Sequence, residues 1–167
     1  MLLAAAGLVA VVTQGSDNPS AASALPQTPT SANSLDLTGT DPVTGRQVSL
    51  ASFIGKPIVL NIWGAWCKSY AEARALAQFE QAHPEAQVVG IDVQDSKADA
   101  KAFYRSVGWT HPSIYDAAGQ LAARLHIQAV PTTIFLDRHH RIVTRITGDT
   151  NLAGFTEGLH QAKTRHP

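Results

Sequence analysis

The sequence predicts an α/β sandwich around one mixed sheet, and three observations predict it. Short apolar runs of strand length alternate along the chain with longer stretches patterned as helix. The chain closes on two strands joined tightly and then a helix, so the sheet is not purely parallel. Hydrophobic residues make up 44% of the 167 residues and charged residues only 16%, which supplies a core and excludes full disorder. That length suits one domain of ordinary size.

The elements follow in order from about Leu35. Arg46 to Leu50 alternates polar and apolar residues after the turn signal Thr44-Gly45, as a half-buried strand does. Pro57 to Gly64 is nearly all apolar and suits a central strand covered on both faces. Helix formers run from the residues after Cys67 to Ala82, with Ala75, Leu76, Phe79 and Ala82 as the apolar stripe, and His83-Pro84 stops them. Gln87 to Val93 is a second buried strand. Ser96 caps the next helix, with Asp99 three residues on and Gly108 past its end. Ser113 to Tyr115 reads as a short strand, Asp116 to Gly119 as a turn, and Leu121 with Leu125 as one or two helical turns. Thr132–Leu136 and Ile142–Thr147 are two strands joined through Arg138, His139 and His140, which are expected to be solvated. Leu152, Phe155, Leu159 and Ala162 lie on one face of a last helix.

Charge is spread unevenly. The chain has 13 Lys+Arg and 13 Asp+Glu, a net charge of +0, which argues against bulk electrostatic attachment to nucleic acid or acidic lipid. Residues 1–45 hold three aspartates and no lysine or arginine. Leu2 to Val12 is apolar, and Thr13 to Ser34 is almost wholly Ser, Thr, Ala, Pro, Gln and Asn, a composition that buries no core. This gives an organisation of an apolar signal or anchor remnant at 1–12, a flexible linker at 13–34 and a folded domain at 35–167. It is the layout of an exported or membrane-tethered protein. The apolar run is shorter than the roughly 20 residues that span a bilayer, and no basic residue precedes it. Ala22-Ser23-Ala24 offers a small-residue cleavage site, though far from that run.

Cys67 is the chain's one cysteine, so no internal disulfide and no four-thiolate zinc or iron–sulfur site exists. The seven histidines include no His-x-His, and none pairs with another at i, i+4 in a helical stretch. No metal or other cofactor is expected. Cys67 follows a buried strand at a helix start, where unpaired N–H groups and the helix dipole favour thiolate, and Lys68 adds positive potential. Trp66 is placed to shield one side.

The stretch Gly55 to Cys67, reading GKPIVLNIWGAWC, resembles the active-site strand and loop of the thioredoxin superfamily. More narrowly it resembles extracytoplasmic thiol–disulfide oxidoreductases of the TlpA/ResA/CcmG type. Val88 to Val93 resembles the family's next central strand. Val130-Pro131-Thr132, with the residues to Asp137, resembles its cis-proline loop and the strand after it, and Arg141 to Gly148 its final hairpin. The resemblance implies a thioredoxin-like three-layer sandwich, with a central mixed sheet and helices on both faces. It also implies Cys67 as the catalytic thiol within the motif Trp66, Lys68, Ser69 and Tyr70. Val130, Pro131 and Thr132 would hold an extended substrate segment. The implied partner is a thiol- or disulfide-containing protein, such as an apocytochrome or a membrane redox protein.

The motif departs from the family's. Tyr70 stands where the resolving cysteine belongs, so a mixed disulfide at Cys67 has no internal thiol to release it. Asn61 occupies the place of a buried aspartate found in thioredoxins proper. The glutamate of the TlpA-like branch is replaced by Ala73. Glu72 is the nearest carboxylate left for proton handling, turned by roughly 100° of helix and expected to aim elsewhere unless the helix register shifts. The helix proline of that branch is Ala75. The peroxiredoxin pattern is missing too, with Leu60 and Gly64 at its proline and hydroxyl positions. Three functions follow: single-cysteine thiol–disulfide exchange in envelope redox control or cytochrome c maturation, a redox-inactive module that binds cysteine-containing polypeptides, and a purely structural domain.

Overall fold

A computed structural model describes residues 34–164. The apolar segment at 1–12, the linker up to residue 33 and the last three residues lie outside the described residues. Strands β1 (Thr38–Thr40) and β2 (Gln47–Ser49) pair antiparallel as a ribbon of their own. Strands β3 (Ile58–Trp63), β4 (Gln87–Val93), β5 (Ser113–Asp116), β6 (Thr132–Leu136) and β7 (Ile142–Thr147) form one sheet in the order β5-β4-β3-β6-β7. The pairs β3–β4 and β4–β5 are parallel, and β3–β6 and β6–β7 are antiparallel, so the sheet is mixed. Helices α1 (Tyr70–Ala82), α2 (Lys97–Val107), α3 (Gln120–Arg124) and α4 (Leu152–Thr164), with 3-10 turns at Leu50–Phe53 and Ala65–Cys67, complete the described elements.

The period of two along each strand divides the core. Ile58, Leu60 and Ile62 of β3 join Val89, Ile91, Ile114 and Ile134 on the face covered by the ribbon and α3. Val59 and Trp63 turn to the other face, against Leu76, Phe79, Phe103 and Phe155 of the three longer helices. All six residues of β3 are buried, which explains its continuous apolar run. Burying each of its isoleucine and leucine side chains contributes about 1.5–3 kcal/mol over exposure. Two glycines make room for rings. A Cβ on Gly90 would lie 2.7 Å from the Trp63 indole nitrogen, which crosses there to donate to the Ser113 hydroxyl. A Cβ on Gly158 of α4 would strike the Phe135 ring on the sheet beneath.

Several expectations need correction. The strand pattern at Arg46–Leu50 pairs outside the central sheet. The ribbon lies over β5 instead, with Gly39 against Ile114 and the Asp41 carboxylate accepting the Ser113 N–H. In α1 the buried stripe is Glu72, Ala73, Leu76 and Phe79, while Ala82 is exposed. Leu152 is exposed at the start of α4. His140 is not solvated: it is 2% exposed, at φ 60, with its N–H bonded to the Asp137 carbonyl in a tight turn. Beside it Arg141 pairs with Asp137 at 2.8 Å.

The helix over Lys97–Val107 matches its sequence signals closely. The Ser96 hydroxyl accepts the Asp99 N–H and donates to the Asp99 carboxylate, and Gly108 ends the helix at φ 72.

Candidate active site

The C-terminal end of β3 sits between two neighbours of opposite direction. It therefore meets the C-terminal end of β4 and the N-terminal end of β6. Three segments converge there: Gly64–Cys67, Val93–Asp95 and Val130–Thr132. The first is a 3-10 turn, Ala65–Cys67, closed by the Cys67 N–H on the Gly64 carbonyl. Two bonds tie it to the end of β4. The Ala65 N–H donates to the Asp95 carboxylate at 2.6 Å, and the Trp66 indole donates to the Val93 carbonyl at 2.9 Å.

Cys67 is half-buried. Its thiol donates to the Val130 carbonyl at 3.0 Å and lies 3.3 Å from the Ser69 hydroxyl. The Val130–Pro131 peptide bond is cis, and the Pro131 carbonyl accepts the Gly148 N–H. Thr132 is buried, and its hydroxyl donates to the Ala129 carbonyl, inside the loop rather than toward the sulfur. The helix start differs from the expectation. Lys68 takes a left-handed conformation, φ 57, so α1 begins at Tyr70 and Cys67 stands on the turn before it. Ser69, the residue that could cap α1, makes no capping bond and faces the sulfur instead.

Trp66 and Tyr70 are 51% and 41% exposed. The Tyr70 ring packs on Phe103 with centroids 5.3 Å apart. A cavity of about 430 Å³ opens beside them, lined also by Asp95 and Asp99. Trp66 therefore walls an aromatic and acidic hollow next to the thiol while leaving its own outer face in solvent.

Glu72 is where the geometry departs most from the sequence expectation. The left-handed step at Lys68 and the start of α1 at Tyr70 bring it onto β3 rather than elsewhere. It is 4% exposed and accepts from the Asn61 amide at 3.0 Å and from the Thr150 N–H at 2.7 Å. The same amide donates to the Thr133 hydroxyl on β6 at 3.1 Å. Burial pushes the Glu72 carboxyl above its usual range, against the pull of the Thr150 and Asn61 bonds, and Asp149 adds to the rise. Ala73, the family's glutamate position, lies in the apolar core, 2% exposed, with its carbonyl accepting the Trp109 indole. The carboxylate facing Asn61 is thus present in this chain, one residue earlier.

Sequence reasoning missed Thr133, Thr150, Asp92 and Asp95. Asp92 carried a readable signal, a carboxylate inside a strand otherwise read as buried on both faces. Thr150 acts through its backbone N–H, which no side-chain pattern announces. Among the described residues no three metal-ligating side chains stand together, and no helix is long and apolar enough to cross a membrane.

A model of the AhpC/TSA family matches residues 30–145. The thiol-disulfide oxidoreductase ResA of Bacillus subtilis is 26% identical over 107 residues, 62% of this chain and 60% of that protein. The thiol:disulfide interchange protein DsbE of Vibrio cholerae is 29% identical over 117 residues, 69% of this chain and 62% of that protein. The chain thus spans less than two thirds of the length of both relatives. Among solved structures, a DsbF homologue from Corynebacterium diphtheriae shares 34% identity with a TM-score of 0.69, covering 75% of this chain and 83% of that one. A secreted disulfide oxidoreductase from Mycobacterium tuberculosis shares 25% identity with a TM-score of 0.68, covering 74% and 94%. The fold is thioredoxin-like, as theirs is.

Proposed function

Because this chain belongs to the AhpC/TSA family, we propose that it performs thiol–disulfide exchange outside the cytoplasm, with Cys67 as its one exchanging thiol. The observation that carries the reading is the 3.0 Å approach of the Cys67 sulfur to the Val130 carbonyl. It sets the thiol against the backbone that precedes Pro131, where an extended segment has main chain to pair with. The names of the relatives support the chemistry, and the secreted neighbour supports the compartment.

The exchange runs in two balanced steps. Cys67 thiolate attacks one sulfur of a partner disulfide. That S–S bond breaks, a mixed disulfide forms, and the second sulfur leaves as a thiolate. Tyr70 offers no thiol, so a thiolate from another protein attacks the partner's sulfur in the mixed disulfide. Cys67 leaves as thiolate, and the new disulfide joins the two proteins. No electron is gained or lost overall: a disulfide is handed on. Ser69 is placed to donate to the sulfur once its proton has gone. Trp66, Lys68 and Tyr70 border the thiol, Val130, Pro131 and Thr132 form the loop opposite, and Glu72 braces Asn61 and Thr133 beneath that loop.

The substrate class is a polypeptide carrying a disulfide or a reactive thiol, such as an apocytochrome segment or a membrane redox protein. The apolar residues 1–12 serve as signal or tether, and residues 13–34 as a spacer from the membrane.

The test is insulin reduction with dithiothreitol, together with trapping of Cys67 by a labelled disulfide. The wild-type chain should form the mixed disulfide and should not accelerate insulin reduction. Tyr70→Cys should accelerate it, because an internal thiol attacks without an encounter. An untrappable Cys67 overturns the exchange reading, and a wild-type rate equal to that of Tyr70→Cys overturns the role given to position 70.

A second reading rests on the Tyr70 ring, which covers the resolving position by packing on Phe103. On it the domain binds cysteine-containing chains without exchange. A Cys67→Ser variant would then bind an extended cysteine peptide as tightly as wild type.

A further inference from the structure

Asp92 has no part in the exchange just described, and its burial is expensive. It is 0% exposed on the helix-covered face of β4, and neither carboxylate oxygen has a hydrogen-bond partner among the described residues. An unsatisfied buried polar group costs about 1–3 kcal/mol, and more when charged. Its neighbours in register are Trp63 on β3 and Tyr115 on β5. Both are engaged elsewhere: the indole donates to the Ser113 hydroxyl, and the Tyr115 hydroxyl donates to the Asp95 carbonyl. From α2 comes Tyr104, whose own hydroxyl is buried without a bond. The charged groups acting on Asp92 are both negative, Asp95 from the loop after β4 and Asp41 from the ribbon turn. Asp41 is held by the N–H groups of Val43, Thr44 and Ser113.

Asp95 is different, because its bonds reach the functional site. One oxygen accepts the Ser96 N–H and the other accepts the Ala65 N–H, at the start of the turn that ends in Cys67. Three residues past Asp92 in the chain is thus a second carboxylate, Asp95, and through it the backbone that carries the thiol. The Trp66 indole on the Val93 carbonyl is a parallel tie. Whatever charge Asp92 carries is felt by Asp95, a side chain that anchors this turn.

We propose that Asp92 is a positioning residue for Cys67: as a neutral acid it leaves Asp95 bonded to the Ala65 N–H, and as a carboxylate it repels Asp95 and loosens the Ala65–Cys67 turn. The inference rests on the reading of Cys67 as an exchanging thiol. Burial, then the charge and close approach of the Asp95 carboxylate, then the charge of Asp41, push the Asp92 carboxyl up to about 8, so the change falls in a reachable range. Two carboxylates brought close in a low-dielectric setting do not both stay ionised in place.

The test follows the Ala65 amide and the Trp66 indole by proton–nitrogen NMR in the full chain, in a Cys67→Ser background that removes the thiol's own titration. The Ala65 signal should move with a midpoint near pH 8 and stop moving when Asp92→Asn is added. Asp95→Asn provides a second route if Asp92→Asn does not fold, and it should likewise abolish the movement. A midpoint that persists in either variant, or an Ala65 signal that never moves, overturns the proposal. A companion measurement follows iodoacetamide alkylation of Cys67 against pH. Wild type should show a second ionisation that Asp92→Asn lacks, and identical profiles would also overturn the proposal. Failure to trap Cys67 in a mixed disulfide, with the Ala65 midpoint intact, would instead remove the exchange reading and leave the coupling standing.

Discussion

Glu72 and Asp92 lie on the same helix-covered face of the sheet, 4% and 0% exposed, yet one is fully partnered and the other is not. Glu72 accepts from Asn61 and Thr150, so both of its oxygens are satisfied across three elements. Asp92 accepts from nothing among the described residues, and the charges near it are of its own sign. A partnered carboxylate fixes geometry: Glu72 holds α1, β3 and the start of α4 together beneath the loop. An unpartnered one braces nothing by its own bonds and acts only through its charge on Asp95, so it can report on proton concentration. The two sites show how similar burial yields a structural brace or a titrating group, depending only on the donors supplied.

Removing the brace should have the largest effect. Glu72→Ala strands the Asn61 amide and the Thr150 N–H, at about 1–3 kcal/mol for each buried donor left without an acceptor. Urea unfolding should show a loss of about 2–4 kcal/mol. Glu72→Gln keeps one acceptor oxygen and should lose less. A loss from Glu72→Ala below about 1 kcal/mol would mean that the network does not brace the fold.

Asp92 should show itself in the pH dependence of stability. Folded Asp92 keeps its proton up to about 8, whereas its ordinary value is 3.8. Between those limits the folded state binds a proton that the unfolded state has released, so stability falls as pH rises through the window. Asp92→Asn should flatten that fall by at least about 1.4 kcal/mol, the equivalent of one pKa unit. Urea midpoints of the two proteins across the window check this. Parallel curves for wild type and variant would erase the contrast between the two carboxylates.

The smallest effect should come from the N-terminal segment. Deleting residues 1–34, the apolar segment and polar linker ahead of the folded domain, should leave stability within about 0.5 kcal/mol. A larger drop in the urea midpoint would show that this segment takes part in the fold.

Strands were the most legible part of the sequence. The runs Pro57–Gly64 and Gln87–Val93 read as covered strands, because short, mostly apolar stretches of that length suit strands with both faces buried. The capping serine at 96 and the glycine at 108 were equally plain, since each states a local bonding need. Of the ribbon, the strand at Arg46–Leu50 was legible but its pairing was not, because its partner is a three-residue strand with no period, located by a contact between Gly39 and Ile114 far along the chain. His140 misled for a similar reason: turn position predicts solvent, but the turn folds back on the ribbon side, where the Leu35 N–H bonds to its carbonyl. At the site, Cys67 and the loop at Val130 could be named from motifs. The side-chain direction of Glu72 could not, because it depends on one left-handed residue, Lys68, that shifts where α1 begins.

The bond between Cys67 and Val130 joins residues 63 apart in sequence. Contacts of such separation form late, after the loop-closure cost of docking β6 on β3 has been met. During synthesis and any export the thiol therefore travels without its shelter. With no second cysteine in the chain, it has no wrong internal bridge to make. Quality control of this protein is in that respect simple: the hazard to the emerging chain is an adduct from outside, and completing the fold is what brings the sulfur under cover.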